Sequence, residues 1–194
     1  MPFRQLPASA AWLHVGARDG YEVVFPRGDR AEVRFQGATA ALEAGEPWLV
    51  NYVITLASAW TARSAVITGH STSGAHDVRI EADGSGGWRV NGADAPHLDG
   101  CVDVDLESSS LTNAFPVHRL GLEVGDTAEA PAAYVRAGDL SVERLEQRYL
   151  RLHDDDATAQ RYHYTAPAFE FECELRYDEF GLVVDYPGIA MRVA

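Results

Sequence analysis

Apolar and polar residues alternate with a period of two along most of the chain. The clearest run extends from Phe169 to Asp178, where apolar and charged residues take every second position. Such a run is typical of a strand with one buried and one solvated face. Similar runs predict strands at Tyr21–Phe25, Ala31–Phe35, Trp48–Leu56, Trp60–Thr68, Asp77–Ala82, Trp88–Asn91, Cys101–Leu106, Ala132–Arg136, Arg161–Thr165, Gly181–Tyr186 and Ile189–Val193.

Turn sequences separate these runs, for example at 27–29, 82–87, 137–139 and 186–188. Short strands about 8–12 residues apart are typical of an all-β barrel or roll. Strands with one solvated face are expected to pair antiparallel. The sequence shows no alternation of strand and helix patterns, so nothing in it indicates a parallel sheet. We therefore predict a single, mainly β domain over residues 1–194, with a many-stranded, mostly antiparallel sheet.

Helical patterns are few. Ser109–Leu120 is the best candidate, with Ser110 or Thr112 as N-cap and Pro116 in the first turn. Ala38–Ala44 is a weaker helical alternative, and Asp139–Leu152 fits either a strand or a helix, of which we favour the strand. Residues 20–68 and 132–186 share an order of strands and turns, so an internal duplication stays open as an alternative.

The charge of the chain limits its partners. The formal net charge is −13, and all 16 basic residues are Arg. Without a basic cluster we expect no nucleic-acid binding and no adhesion to an anionic leaflet. No apolar run could span a bilayer or act as a signal peptide, and two cysteines without a CxxC pattern suit a reduced chain. We predict a cytoplasmic protein without stable membrane insertion.

Few residue patterns indicate catalysis or metal binding. The sequence GHSTSG at 69–74 resembles a nucleophile elbow, but it has one residue too many, so a polar loop is favoured. Seven scattered histidines predict neither a metal site nor a cofactor. Asp103 and Asp105 share one strand face and could do acid–base work, or could bond Arg119, Arg148 or the backbone. We favour the structural role and assign no catalytic residue.

Several segments together carry a resemblance to a known family. Gly100–Leu120 reads GCVDVDLESSSLTNAFPVHRL, 147–149 reads QRY, and 180–188 reads FGLVVDYPG. Their order resembles the family named putative glycolipid-binding, whose fold is called a spiral β-roll. The resemblance implies a sheet rolled around a single short helix, often as a dimer. This fold is similar to the periplasmic lipoprotein-localisation factors, which hold acyl chains in an apolar cavity.

The resemblance implies a non-enzymatic binding protein for a glycolipid or another acyl-chain amphiphile. Two alternatives stay open: a small enzyme with a polar Asp/Arg/Tyr pocket, and a dimeric scaffold without a small ligand. The polar residues of the shared segments either contact a ligand or tie helix to sheet. These signature residues are Asp103, Asp105, Asn113, His118, Arg119, Gln147, Arg148, Tyr149, Asp185 and Tyr186.

Overall fold

The computed structural model describes residues 3–28, 31–155 and 160–194. Strands dominate, as predicted, and the strand patterns are found close to their predicted positions. The strands, numbered β1 to β17 in chain order, are Ala10–His14, Asp19–Gly28, Glu32–Glu43, Glu46–Ala57, Ala62–Ser71, Gly74–Ala82, Trp88–Val90, Ala93–Asp94, Asp103–Leu106, Thr127–Glu129, Ala132–Val135, Val142–Leu145, Arg148–Arg151, Gln160–Ala166, Phe171–Tyr177, Val183–Tyr186 and Ala190–Arg192.

Within the described ranges, fourteen strands form one sheet. Its order is β10-β13-β14-β15-β16-β17-β1-β2-β3-β4-β5-β6-β7-β8, with every neighbouring pair antiparallel. The sheet thus consists of two meanders, one from each half of the chain. Antiparallel pairing of β1 with β17 joins them. The sheet rolls around the helical segment of the chain.

A small second sheet has the order β12-β11-β9, and here β9 pairs with β11 in parallel. This pair departs from the expected antiparallel pattern. Parallel strands need a crossover connection, which usually contains a helix. The chain between β9 and β11 supplies it, because it holds the predicted helix. All four residues of β9 are buried, so the aspartates and the apolar residues of this strand are both shielded from water.

The helix begins with a 3₁₀ turn at Leu111–Asn113 and continues as α1, Ala114–Leu120. Pro116 lies in the first turn, as predicted. The predicted capping role of Ser110 and Thr112 is wrong, since neither side chain caps the helix. α1 ends at Gly121, whose φ of 56° is the left-handed conformation that glycine adopts most readily.

The two other segments that had a helical alternative form strands instead. Ala38–Ala44 lies almost wholly in β3, where its residues alternate between the two sheet faces. Small β-compatible side chains there pair with both neighbouring strands, so tertiary pairing overrides the helix propensity of alanine. Asp139–Leu152 holds β12 and β13, which confirms the favoured strand interpretation.

Two clusters of buried apolar side chains form the core. The first fills the space under β1–β7 and includes Trp12, Phe35, Ile54 and Phe115. The second lies under β13–β16 and is rich in tyrosine, with Tyr149, Tyr162, Tyr164 and Tyr177 buried. α1 contributes to both, because Phe115 packs in the first cluster and Val117 in the second. The helix therefore packs against both clusters and links them.

Candidate functional site

Asp103 and Arg119 form a bidentate ion pair between β9 and α1. Nη2 of Arg119 donates to Oδ2 of Asp103 at 2.6 Å, and Nε donates to Oδ1 at 3.1 Å. Asp103 is almost fully shielded from water, and this burial raises the pKa of its carboxyl although Arg119 opposes the shift. The pair fixes the C-terminal half of the helix to the small sheet.

Asp105 binds neutral partners. Thr112 donates its hydroxyl to Oδ1 at 2.6 Å, and the Gln147 amide donates to Oδ2 at 2.5 Å. Burial raises the pKa of the Asp105 carboxyl to about 6. Asp105 therefore connects the 3₁₀ turn before α1 with the residue that precedes β13, and both of its oxygens are occupied by protein donors.

Asn113 accepts hydrogen bonds from two tyrosines of the second core cluster. Tyr149 donates its hydroxyl to Oδ1 of Asn113 at 2.9 Å, and Tyr177 donates to the Asn113 carbonyl at 3.0 Å. Tyr186 is partly buried beside them, and its ring lies 6.2 Å from that of Tyr164 between centroids. Burial holds the pKa of Tyr149 well above its usual range, so its hydroxyl stays a donor.

The structure brings most signature residues together. Three hydrogen-bonded groups surround the helix: Asp103 with Arg119, Asp105 with Gln147, and Asn113 with Tyr149. Tyr186 lies beside the third group through its ring contact with Tyr164, and we call these seven signature residues the girdle. The other three lie apart. The suggestion that Arg148 bonds an aspartate is wrong: it lies exposed on β13, because its side chain takes the solvent face of a strand whose other face carries buried Tyr149. Asp185 lies partly exposed on β16.

His118 stands outside the girdle. Its ring stacks on Trp60 at 3.6 Å between centroids, and Phe3 approaches at 4.5 Å. One ring nitrogen bonds the Phe180 carbonyl at 3.0 Å, and burial lowers the pKa of His118 to about 4, so the ring is neutral near pH 7. Gly181 faces this ring so closely that a Cβ there would overlap Nε2 of His118.

A large cleft opens beside this stack, with a volume of about 1510 Å³. It lies between the N-terminal segment, the end of the β2–β3 hairpin and the residues that follow α1. Apolar side chains form much of its wall: Phe3, Leu6, Val33, Trp60, Val117, Leu122, Val124 and Tyr162. Charged residues complete the lining: Arg4, Arg27, Glu123, Arg151 and Asp154. Of the ten signature residues, His118 is the one that reaches this lining.

Sequence reasoning missed most of this lining. Of the four tryptophans, Trp60 reaches the cleft, whereas Trp12, Trp48 and Trp88 are buried. Trp60 has a φ of 63°, the left-handed conformation that a bulky residue rarely adopts. The irregular pairing of β4 with β5 next to it allows this geometry. No single-sequence pattern could have shown which tryptophan the hairpin turns towards the cleft.

A second buried acid was also missed. Glu22 on β2 is fully shielded and accepts hydrogen bonds from the Tyr52 hydroxyl at 2.5 Å and from the Ser110 amide at 2.8 Å. The Ser109 hydroxyl also donates to it. Burial raises the pKa of Glu22 to about 7. No signal in the sequence indicated it, because the alternation of Tyr21, Val23 and Phe25 predicts that Glu22 lies on the solvated face of β2.

The family assignment rests on the sequence of almost the whole chain. The profile of the family described as "Putative glycolipid-binding" matches residues 9–192. The chain belongs to this family. Its sequence is also similar to that of a DUF1089 family protein from Pseudomonas aeruginosa with a crystal structure at 1.80 Å resolution. The two are 34% identical, the TM-score is 0.76, and the match covers 90% of this chain and 92% of the other.

A more distant likeness concerns the fold alone. The β-barrel-like protein of the domain of unknown function DUF1849 from Brucella abortus superposes with a TM-score of 0.52 at 8% identity. The match covers 95% of this chain and 92% of that one. No curated protein matches the sequence. The family membership supports a binding protein in general, and the two likenesses support its mainly β structure.

Two observations limit the chemistry of this family member. Among residues 3–28, 31–155 and 160–194, no group of three or more His, Cys, Asp or Glu side chains is placed to hold a metal ion. The helices in the same part of the chain are all too short or too polar to cross a membrane.

Proposed function

We propose that the protein is a non-enzymatic carrier for an amphiphile with an acyl chain, such as a glycolipid, and that the ligand occupies the cleft beside Trp60. The observation that carries the proposal is the combination of size and lining. A volume of about 1510 Å³ exceeds the ~300–1,000 Å³ of a pocket for a drug-sized ligand. It leaves room for a long chain together with a head group.

The lining suits a molecule with two ends. The apolar wall of Leu6, Val33 and Leu122 offers a surface against which methylene groups lose contact with water, which favours binding by about 0.8 kcal/mol for each buried CH₂. Arg27 in the same lining supplies donors for hydroxyl or anionic groups. In this proposal most of the signature residues hold the helix, and His118 contacts the ligand.

Ligand retention and probe binding test the proposal. Native mass spectrometry of the purified protein should show a co-purified amphiphile. The delipidated protein should bind parinaric acid, a fluorescent fatty acid, and dodecyl maltoside, an alkyl glycoside. We expect the double substitution Leu122→Glu with Val124→Glu to weaken both by at least tenfold, because it places two carboxylates on the apolar wall.

A matched control uses the outer sheet surface. Leu13 and Leu49 are exposed leucines that do not line the cleft, and they tolerate the same change to Glu. The Leu13→Glu/Leu49→Glu protein should bind both probes like the wild type. If the wild type retains no lipid and binds neither probe, the proposal fails. Equal binding by the cleft variant would place the ligand elsewhere.

The enzyme alternative required two signature carboxylates in one solvent-reachable cleft. Asp103 and Asp105 are buried, and each is occupied by donors of the protein itself. This geometry leaves neither carboxylate free to contact a substrate, so it favours the carrier over an enzyme built on this pair.

We further propose that two copies associate through the outer face of the sheet. Five adjacent strands place uncharged side chains directly opposite one another in the register Met191–Leu13–Tyr21–Ala40–Leu49. Four of these five are large and apolar and are 38–50% exposed. Phe25 and Leu42, on the same face of β2 and β3, extend the row on both sides. We call these seven residues the outer apolar face.

The absence of charge distinguishes this face from the rest of the surface. The chain carries a net charge of −13, and two copies that meet through the outer apolar face bring no like charges into direct contact. The five strands from β17 to β4 span about 24 Å, and the rows from Leu42 to Phe25 span about 20 Å. This footprint of roughly 500 Å² lies below the ~800 Å² per partner of a standard interface, so the contact includes its polar rim.

Sedimentation tests this association. We expect the wild type to sediment as a dimer and the Leu13→Glu/Leu49→Glu protein as a monomer, since a two-fold contact places each new carboxylate in the interface twice. The Leu122→Glu/Val124→Glu protein serves as the control and should stay dimeric. A monomeric wild type, or a dimeric outer-face variant, would refute the proposed interface.

We place this carrier in the cytoplasm. Cys101 and Cys173 are both unpaired, which suits a reducing compartment. Fractionation of cells with an antibody against the protein tests the location, and recovery outside the cytoplasmic fraction would overturn it.

A further inference from the structure

The buried polar atoms without a partner are concentrated in one place. Within the described part of the chain, the shielded side-chain nitrogen and oxygen atoms that lack a hydrogen bond are Nδ1 and Nε2 of His14, Nε of Arg18 and Oγ of Ser110. All three residues are more than nine-tenths buried. Buried polar groups almost always have a partner, so a cluster of four such atoms indicates a missing one.

Glu22 lies between these residues. Its Oε2 accepts the Ser110 amide at 2.8 Å and is 3.8 Å from Nε2 of His14, which is too far for a direct hydrogen bond. Arg18 lies in the loop between β1, which carries His14, and β2, which carries Glu22. Nη1 of Arg18 donates to the Glu107 carbonyl at 2.8 Å. Its Nε lies 3.7 Å from Oε2 of Glu43, again beyond hydrogen-bond distance.

The space between His14, Glu22 and Ser110, which we call the chamber, is closed on one side by Tyr52. Tyr52 reaches across from β4 and donates its hydroxyl to Glu22 at 2.5 Å. Its ring passes over Gly37 of β3, where a Cβ would lie 2.4 Å from the Tyr52 hydroxyl oxygen. A side chain at position 37 would therefore push Tyr52 off Glu22. The chamber lies towards the start of β2, whereas the cleft lies at the other end of that strand.

We propose that this chamber is a binding site for internal water, and that at least one ordered water molecule bridges His14, Glu22 and Ser110. A water about 2.8 Å from both Nε2 of His14 and Oε2 of Glu22 fits the observed separation of those two atoms. A buried water needs two to four polar partners, and Nε2 of His14, Oε2 of Glu22 and Oγ of Ser110 provide three.

The chemistry of the lining favours water over an anion. Nε of Arg18 can only donate, the Ser110 hydroxyl both donates and accepts, and a neutral imidazole has one donor and one acceptor nitrogen. His14 is neutral near pH 7, because burial lowers its pKa to about 4. Water meets the donors and the acceptors alike. An anion would leave the acceptor nitrogen of His14 unpaired and would lie beside the carboxyls of Glu22 and Glu43.

A crystal structure at about 1.5 Å resolution tests the proposal directly. We expect a density peak within 3.2 Å of a His14 nitrogen and of Oγ of Ser110. A bromide soak distinguishes the two guests: a water peak gives no anomalous signal, whereas an exchangeable anion does. An anomalous peak would overturn the proposal. So would an empty chamber in which the His14 and Ser110 side chains turn to pair with protein atoms.

Ser110→Ala provides a second test, with Ser108→Ala as its matched control. Ser108 is the neighbouring buried serine, and its contact with Thr39 uses its backbone carbonyl, which the substitution keeps. In solution we expect a nuclear Overhauser effect from water to the Ser110 amide proton in the wild type and in Ser108→Ala. In Ser110→Ala the effect at that amide should fall at least twofold. An unchanged signal would exclude a water held by the Ser110 hydroxyl.

Discussion

The helical segment is held by one buried acid near its start and another near its end, and these two sides work differently. On one side, Glu22 of the large sheet bonds Tyr52, Ser109 and Ser110, none of which carries a charge. On the other side, Asp103 of the small sheet pairs with the guanidinium of Arg119. One connection thus relies on neutral donors, and the other on opposite charge.

The difference determines how each connection responds to change. An ion pair that loses one member leaves a charge buried without compensation. An acid bonded only by neutral groups can avoid that cost by taking up a proton, which its raised pKa already favours. We therefore expect the Asp103 side to be sensitive to substitution and the Glu22 side to be sensitive to pH.

Arg119→Ala should cause the largest change in stability of the three substitutions. It leaves the Asp103 carboxylate buried and unpaired, so the free energy of unfolding should fall by about 3–5 kcal/mol in urea denaturation. Arg148→Ala is the matched control, because Arg148 lies exposed on β13. It should change the stability no more than an ordinary surface substitution. A small effect at Arg119 would mean that the pair contributes little to holding the helix.

Glu22→Gln should change how stability depends on pH. The folded pKa of about 7 exceeds the ordinary value of 4.5, so between these values the folded chain keeps a proton that the unfolded chain has lost. Stability contributed at this site therefore falls as pH rises through this window. The glutamine of the variant does not titrate, so the variant does not lose stability in this way. The free energy of unfolding of the variant minus that of the wild type should therefore increase by about 3 kcal/mol between pH 4.5 and 7.5.

The difference between the two proteins must be measured, because other groups titrate nearby. Burial lowers the pKa of His14 and of His118 to about 4, which makes the wild type more stable as pH rises from 4 to 6.5. The contribution of His118 cancels in the comparison, because His118 does not contact Glu22. His14 lies 3.8 Å from Glu22, so its pKa responds to the substitution and its contribution is part of the measured difference. A pH-independent difference between the two would show that Glu22 does not titrate in the folded chain.

Tyr149→Phe should have the smallest of the three effects. It removes the hydroxyl that donates to Oδ1 of Asn113 and leaves that buried oxygen without this donor, which costs about 1–2 kcal/mol. Tyr21→Phe on the outer apolar face is the control, because it removes an exposed hydroxyl and keeps the ring for the proposed dimer contact; it should leave thermal unfolding unchanged. A larger loss at Tyr149 would indicate that the tyrosine cluster acts as a cooperative network.

The fold was predictable to the extent that it depends on local alternation. The strands, the single helix around Pro116 and the girdle of Asp103, Asp105 and Arg119 follow from patterns within a few residues or from the family resemblance. The parallel pairing of β9 with β11 was not predictable, because register between distant strands depends on the packing of the helix that connects them.

The cleft and the Glu22 cluster were hidden for the same reason. Their residues come from distant parts of the chain, as in the contact between Glu22 and Ser110, which are 88 positions apart. Nothing local distinguishes Val33 or Leu122 from apolar residues of the core. Which apolar residues line an opening is decided only when the two meanders close on the helix.

The pairing of β1 with β17 also bears on how the chain is made. Trp12 on β1 donates its indole N–H to the carbonyl of Val183, 171 positions later, at 2.7 Å. During synthesis, the edge of β1 that pairs with β17 therefore stays uncovered until the residues of β17 have been made. Contacts of such long range slow folding, and an uncovered edge can pair with another chain. The nascent protein should depend on chaperones until its last strand is released.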